Sequence, residues 1–95
     1  MAHLASSQTE HAELLLGHCL ELWCRLPEIE AEIDAWDRTD QMRFTEEWPL
    51  EEQHLERLDG YAALGMLTPE QCARYEQLKR IVEERRPIAR RIRDG

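Results

Sequence analysis

A heptad-spaced row of apolar residues in the first third of the chain most constrains the fold. Its members are separated alternately by four and by three residues, which places them on one face of an α-helix. The row consists of Leu15, Cys19, Leu22, Leu26, Ile29, Ile33 and Trp36. We therefore expect a helix over about residues 8–36, with a broad apolar face turned towards a core.

Two local signals refine this first helix. Ser7 and Glu10 have the spacing of a capping box, so residues 1–7 are expected to be a disordered N-terminus. Pro27 lies inside the apolar row. It either kinks one long helix or separates two helices that meet end to end. Because the spacing continues across it, we favour the single kinked helix.

Two further helices are expected, over about residues 41–64 and 69–86. Gly65 is the expected C-cap of the second helix, and Thr68-Pro69-Glu70-Gln71 predicts the start of the third. The short connection makes these two helices antiparallel neighbours. Pro87 should end or bend the third helix.

The resulting prediction is an all-α fold, an up-down-up bundle of three long helices in a single domain over residues 8–92. The third helix has a narrow apolar face and the first a broad one, so one chain does not obviously bury all its apolar surface. We therefore expect a homodimer or small homo-oligomer built on the first helix.

Charge is divided unevenly along the chain. The first 78 residues hold 17 of the 20 acidic residues but only 5 of the 12 basic ones. Seven basic residues fall in the last 17 positions, and residues 85–95 are predicted to be an Arg-rich tail. The overall net charge of −8 disfavours general binding to nucleic acid, whose phosphates repel an acidic surface.

Composition also bears on the compartment. Three cysteines are too few for a disulfide framework, and reduced thiols in a cytoplasmic protein are the natural interpretation. We expect neither a signal peptide nor a membrane span, because no apolar run is long enough.

A metal site is suggested by Glu51 and His54, with Glu47 in support. All three share an arc of the second helix with apolar residues, where an unpaired charge is costly. The Glu51-x-x-His54 spacing resembles the element that binds metal in ferritin-like proteins. That resemblance implies a metal-binding half-bundle that holds iron, manganese or zinc. The alternative is that Glu51 and His54 lie at the bundle edge or pair with an arginine such as Arg74 or Arg86.

Two more histidines lie on the first helix. His11 and His18 are seven residues apart and so share one flank. They either bind a metal across a dimer interface or lie partly exposed at the boundary of the core.

Aromatic and basic side chains are the candidates for partner contacts. Trp23 and Trp36 lie on the broad face of the first helix, and tryptophan is a favoured interface anchor. The basic candidates are Arg85, Arg86, Arg90 and Arg91. Alternatively, the tryptophans belong to the core, and the arginines complement the helix dipole and pair with neighbouring glutamates.

These features favour a small helical protein-interaction module, such as a regulatory adaptor, an assembly factor or an antitoxin-like inhibitor. No catalytic arrangement can be inferred, so an enzyme is less favoured and no cofactor is expected. The first alternative is the metal-binding half-bundle. The second is a regulator that contacts nucleic acid through its Arg-rich tail.

Overall fold

Three long α-helices make up nearly all of the chain. The computed structural model describes residues 2–94, with side chains from Ser7 to Asp94. Helix α1 (Ala2–Glu32) leads into a 3₁₀ turn (Ile33–Ala35), and α2 (Arg38–Ala63) and α3 (Pro69–Asp94) follow. This part of the chain contains no β-strand, which confirms the all-α prediction. None of its helices is both long enough and apolar enough to cross a membrane.

The two connections between helices are short and hydrogen-bonded. At the first, the Gln41 side-chain amide donates to the carbonyls of Ile33 and Trp36, at 2.7 and 3.3 Å. At the second, Gly65 has a φ of 69°, a conformation that suits glycine. The N–H groups of Gly65 and Met66 bond to carbonyls in the last turn of α2, which forms a Schellman motif and confirms the predicted C-cap.

The start of α3 also follows its prediction. The Thr68 hydroxyl accepts from the Gln71 N–H, and the Gln71 side chain accepts from the Thr68 N–H, both at 3.1 Å. Two backbone N–H groups that have no acceptor within the helix are thereby satisfied. Gln71 is buried, and its side-chain amide also donates to the Thr9 carbonyl of α1 at 3.0 Å. The cap of α3 is therefore fixed to α1.

The helix ends differ most from prediction at two places, the start of α1 and the end of α3. α1 begins at Ala2, so Ser7 lies within the helix instead of capping it; alanine and leucine in this segment favour helix. Residues 2–7, which were predicted to be disordered, lie within α1, and Met1 lies outside the described residues. α3 continues through Pro87 to Asp94, so the expected Arg-rich tail is part of a helix.

The three helix-interior prolines are all exposed to solvent. Pro27, Pro49 and Pro87 each lie on the outer side of a helix. There water or a polar side chain can bond to the carbonyl that a proline leaves without its helical donor. Beyond Pro87, Ala89 and Ile92 are buried, and their packing offsets the cost of continuing the helix. The preference for one helix across Pro27 is confirmed.

Arg85 of α3 compensates for the backbone bond that Pro27 removes. Proline has no N–H, so the Trp23 carbonyl four residues earlier loses its usual helical donor. The Arg85 guanidinium donates to this carbonyl at 2.8 Å and to the Cys24 carbonyl at 2.6 Å. A contact between helices therefore satisfies the group that the helix itself leaves unbonded.

Contacts between α1 and α3 keep a nearly constant offset in residue number. Arg74 pairs with Glu13, and Arg91 pairs with Glu30 at 2.6 Å. Each arginine holds the pKa of its partner carboxyl below the usual value, mainly by hydrogen bonding. Because both numbers rise together, the two helices run in the same direction.

Contacts between α1 and α2 run the opposite way. The rings of His18 and His54 are 5.3 Å apart, and those of Trp23 and Trp48 are 5.4 Å apart. One residue number rises as the other falls, so α2 is antiparallel to α1. α1 contacts α3 most extensively, whereas α2 and α3 contact each other least.

The core is built on α1. Four residues of its apolar face, Leu16, Cys19, Trp23 and Leu26, have no exposed surface within a single chain, and Leu22 is half-buried. This burial weakens the case for a dimer on α1, because α2 and α3 already cover most of the broad apolar face. Whether the chain dimerises stays a prediction.

The bond between Arg85 and the Trp23 carbonyl can be tested through its dependence on Pro27. Arg85→Ala should lower the free energy of unfolding by about 1–2 kcal/mol, since a hydrogen bond to a charged donor is lost. In a Pro27→Ala background, the new N–H can bond to the Trp23 carbonyl. The cost of Arg85→Ala should then fall by at least about 0.5 kcal/mol.

Urea unfolding of the four proteins in this double-mutant cycle measures the coupling. Arg80→Ala, which changes an exposed arginine on the same helix, is the matched control and should cost under about 0.5 kcal/mol. An equal cost of Arg85→Ala in both backgrounds would contradict this role of Arg85.

Candidate functional sites

The weak contact between α2 and α3 leaves an open groove, here called the α2–α3 groove. Its volume is about 520 Å³. Leu55, Tyr75, Leu78 and Val82 form its apolar floor. The remaining lining residues are Asp59, Lys79, Glu83, Arg86, Pro87 and Arg90. The groove therefore combines an apolar floor with charged edges, of which the α3 edge is mainly basic.

Two polar contacts hold the walls of this groove in place. The Tyr75 hydroxyl donates to the Asp59 carboxylate, and burial together with this bond raises the Tyr75 pKa, so the phenol keeps its proton. Arg86 donates two hydrogen bonds to Glu52, at 2.7 and 3.2 Å, and lies over the Trp23 ring. Glu52 also accepts from the Trp48 indole N–H at 3.2 Å.

The four arginines predicted to contact a partner have different roles. Arg85 bonds to α1 carbonyls, Arg86 to Glu52 and Arg91 to Glu30, so these three are used inside the chain. Arg90 lies exposed on the edge of the α2–α3 groove. Lys79 lies on the same edge, with its ammonium 5.4 Å from the centre of the Tyr75 ring.

The two tryptophans predicted to contact a partner also differ. Trp23 has no exposed surface, so its assignment to an interface is corrected: it is a core residue that packs on Trp48. Trp36 is half-buried and packs edge-on against Phe44, with 5.9 Å between the ring centres. Trp36 also lines a shallow surface depression, so it retains surface for a contact.

A second candidate site lies between α1 and α2, outside the α2–α3 groove. The His18 Nε2 lies 2.7 and 3.0 Å from the two Glu51 carboxylate oxygens. One ligand atom from each of His18, Glu51 and His54 lies within 4.8 Å of the other two. The His18 side chain is 51% exposed and that of Glu51 17% exposed, so the cluster opens to solvent.

The cluster contains two of the three residues predicted to bind metal. Glu51 and His54 come together, but the third member is His18 of α1. Glu47 is exposed and lines the depression beside Trp36, outside this cluster. The arginines considered as alternative partners bond elsewhere, Arg74 to Glu13 and Arg86 to Glu52.

The sequence pattern grouped His18 with His11 and so did not place it beside Glu51 and His54. In the structure the His11 ring instead lies 2.7 Å from the Tyr61 hydroxyl, in a hydrogen bond. Distance from the turn between α1 and α2 would have predicted the cluster. His18 and His54 are equally far in sequence from Trp36, and residues equally far from a turn lie side by side on two antiparallel helices.

Comparison with known proteins gives no further assignment. No protein-family model matches the chain, and no significant similarity links it to a curated protein or to a solved structure. Any function of the groove and of the histidine cluster must therefore be inferred from their geometry.

The three cysteines should differ sharply in reactivity. Cys19 is fully buried, and burial together with the nearby Glu51 carboxylate raises the pKa of its thiol to about 12. Cys24 and Cys72 are exposed. Because the thiolate is the reactive form, iodoacetamide at pH 8 should modify Cys24 and Cys72 in the native protein and spare Cys19.

Mass spectrometry of the treated protein reads out the result, with a sample unfolded in guanidinium as the control in which all three thiols react. Modification of Cys19 at the rate of the other two would contradict its place in the core.

Proposed function

We propose that this chain is a protein-interaction module that receives an acidic, amphipathic helix of a partner in the α2–α3 groove. The regulatory adaptors, assembly factors and antitoxin-like inhibitors expected from the sequence all act by binding a protein partner. The observation that carries the proposal is the groove itself, an apolar floor edged by the exposed cations Lys79 and Arg90.

The length of the groove suits a helix. Lys79 and Arg90 are eleven residues apart on α3, or about 16 Å at the helical rise per residue. A partner helix lying along α3 would therefore place two carboxylates about three turns apart. Leucines at i, i+3 or i+4, and i+7 would face the groove floor, as in other helix-in-groove complexes.

Charge favours an acidic partner and one orientation. Arg86 is engaged by Glu52, but Lys79 and Arg90 have no carboxylate partner among the described contacts. The rest of the body carries most of the acidic residues. It repels an acidic helix from other approaches and so guides it to the α3 edge.

The complex should be weak and sensitive to salt. Leu78 and Val82 are already mostly buried, so docking covers little additional apolar surface at the floor. The remaining attraction comes from exposed charges, which salt screens. Such properties are typical of a transient regulatory contact.

A designed peptide tests this proposal. The probe is a fluorescently labelled helical peptide of about five turns, with leucines on one face and glutamates flanking them. We expect it to bind, and we expect the double variant Lys79→Glu/Arg90→Glu to weaken binding about tenfold, measured by fluorescence anisotropy in low salt.

Arg80→Glu is the matched control, because it reverses a charge on α3 outside the groove lining. A peptide with lysines in place of the glutamates should bind less well than the probe. Equal binding of the probe by the native chain and the double variant would contradict the proposal.

The nucleic-acid alternative can be tested with the same double variant. Deleting residues 85–95 would remove the buried Ala89 and Ile92, so charge reversal is the cleaner change. A labelled DNA duplex that binds the native chain but not Lys79→Glu/Arg90→Glu, with a steep salt dependence, would favour this alternative.

Dimerisation is a separate proposal. Leu14 and Leu50 are 72% and 50% exposed and precede His18 and His54 by one helical turn. They are exposed apolar side chains of α1 and α2 that a second copy could cover. If these two leucines form a dimer interface, sedimentation equilibrium should show association that depends on protein concentration. The double variant Leu14→Glu/Leu50→Glu should remove this association. A native chain that stays monomeric at tens of micromolar would contradict the dimer.

A further inference from the structure

We propose that His18, Glu51 and His54 form a binding site for one divalent transition-metal ion, with zinc as the reference ligand. This inference is independent of the proposed partner binding, since the cluster lies between α1 and α2 and none of its residues lines the α2–α3 groove. It rests on the donor atoms, their spacing and their access to solvent.

The spacing of the donors suits a single ion. Zinc binds histidine nitrogen and carboxylate oxygen at about 2.0–2.2 Å, so two ligands of one ion lie roughly 3–4 Å apart. The His18 Nε2 and the nearer Glu51 oxygen are already 2.7 Å apart, and all three donors lie within 4.8 Å. Small side-chain rotations would bring them to coordination distance.

The chemistry of the donors selects the class of ion. Imidazole nitrogen suits zinc, copper, iron and nickel, whereas calcium and magnesium prefer sites made of oxygen ligands. Two imidazoles and one carboxylate therefore favour the transition metals. Because the set supplies three ligands, water would occupy the remaining positions, and the half-exposed His18 leaves the site accessible to it.

Surrounding charge favours a cation at this place. Glu47 lies one turn before Glu51 on α2, and Glu21 lies one turn after His18 on α1. Both side chains are exposed and neither pairs with a described cation, so both add negative potential. The ion would replace the single contact between His18 and Glu51 with coordination bonds that join α1 to α2.

Zinc titration of the untagged full chain tests the site. The background carries Cys24→Ser and Cys72→Ser, because exposed thiols also bind zinc. We expect binding of one zinc ion by isothermal titration calorimetry. At an excess of about a hundredfold over Kd, the melting temperature should rise by about 10 °C, whereas magnesium and calcium should leave it unchanged.

Ligand variants identify the donors. Glu51→Gln and His54→Ala should each weaken zinc binding at least tenfold. His11→Gln is the matched control: His11 also bridges α1 to α2, through Tyr61, but belongs to no such cluster. It should leave zinc affinity unchanged. Glu51→Gln preserves side-chain shape, which keeps the test interpretable if His54→Ala does not fold.

Cobalt provides a spectroscopic check of the same donors. Cobalt bound by nitrogen and oxygen should show visible absorption without the near-ultraviolet band of thiolate ligation. Absence of zinc binding, zinc binding that is unchanged in both ligand variants, or a thiolate band from Cys19 would overturn the proposed site.

Discussion

Burial of the apolar face of α1 against both other helices is the interaction on which the rest of this structure depends. α3 lies along α1 in the same direction and α2 lies along it in the opposite direction. Both take most of their core contacts from α1, and they meet each other mainly through Asp59, Tyr75, Glu52 and Arg86. The groove and the histidine cluster both follow from this arrangement.

α2 consequently contributes residues to both candidate sites, on two different faces. One carries Leu55 and Asp59 into the groove that it shares with α3, and the other carries Glu51 and His54 to His18 of α1. A ligand on either face would restrain a helix that has few other contacts. We therefore regard α2 as the element whose position a bound metal or a bound helix would stabilise most.

Much of this fold could be predicted because its signals are local. The apolar row of α1, the capping box at Thr68 and Gln71, and the positive φ of Gly65 are each decided within a few residues. The end of α3 could not be predicted in that way. Continuation through Pro87 depends on tertiary packing of Ala89 and Ile92, which one segment of sequence does not reveal.

The candidate sites were harder to predict because they join distant parts of the chain. Glu51 and His54 are one turn apart and could be found by spacing, but His18 is 33 residues from Glu51 along the chain. The arginine roles depended on geometry for the same reason. Arg85 and Arg90 look alike in sequence, yet one bonds to the Trp23 carbonyl and the other edges the groove.

The most direct test of the proposed partner binding is to locate the designed acidic peptide on the protein. Amide chemical-shift mapping of the ¹⁵N-labelled chain during titration with the designed peptide would do so. If the peptide binds in the α2–α3 groove, the shifts will concentrate in two stretches, residues 55–59 of α2 and 75–90 of α3. Shifts concentrated around His18 and His54, or spread evenly over the acidic body, would contradict this binding.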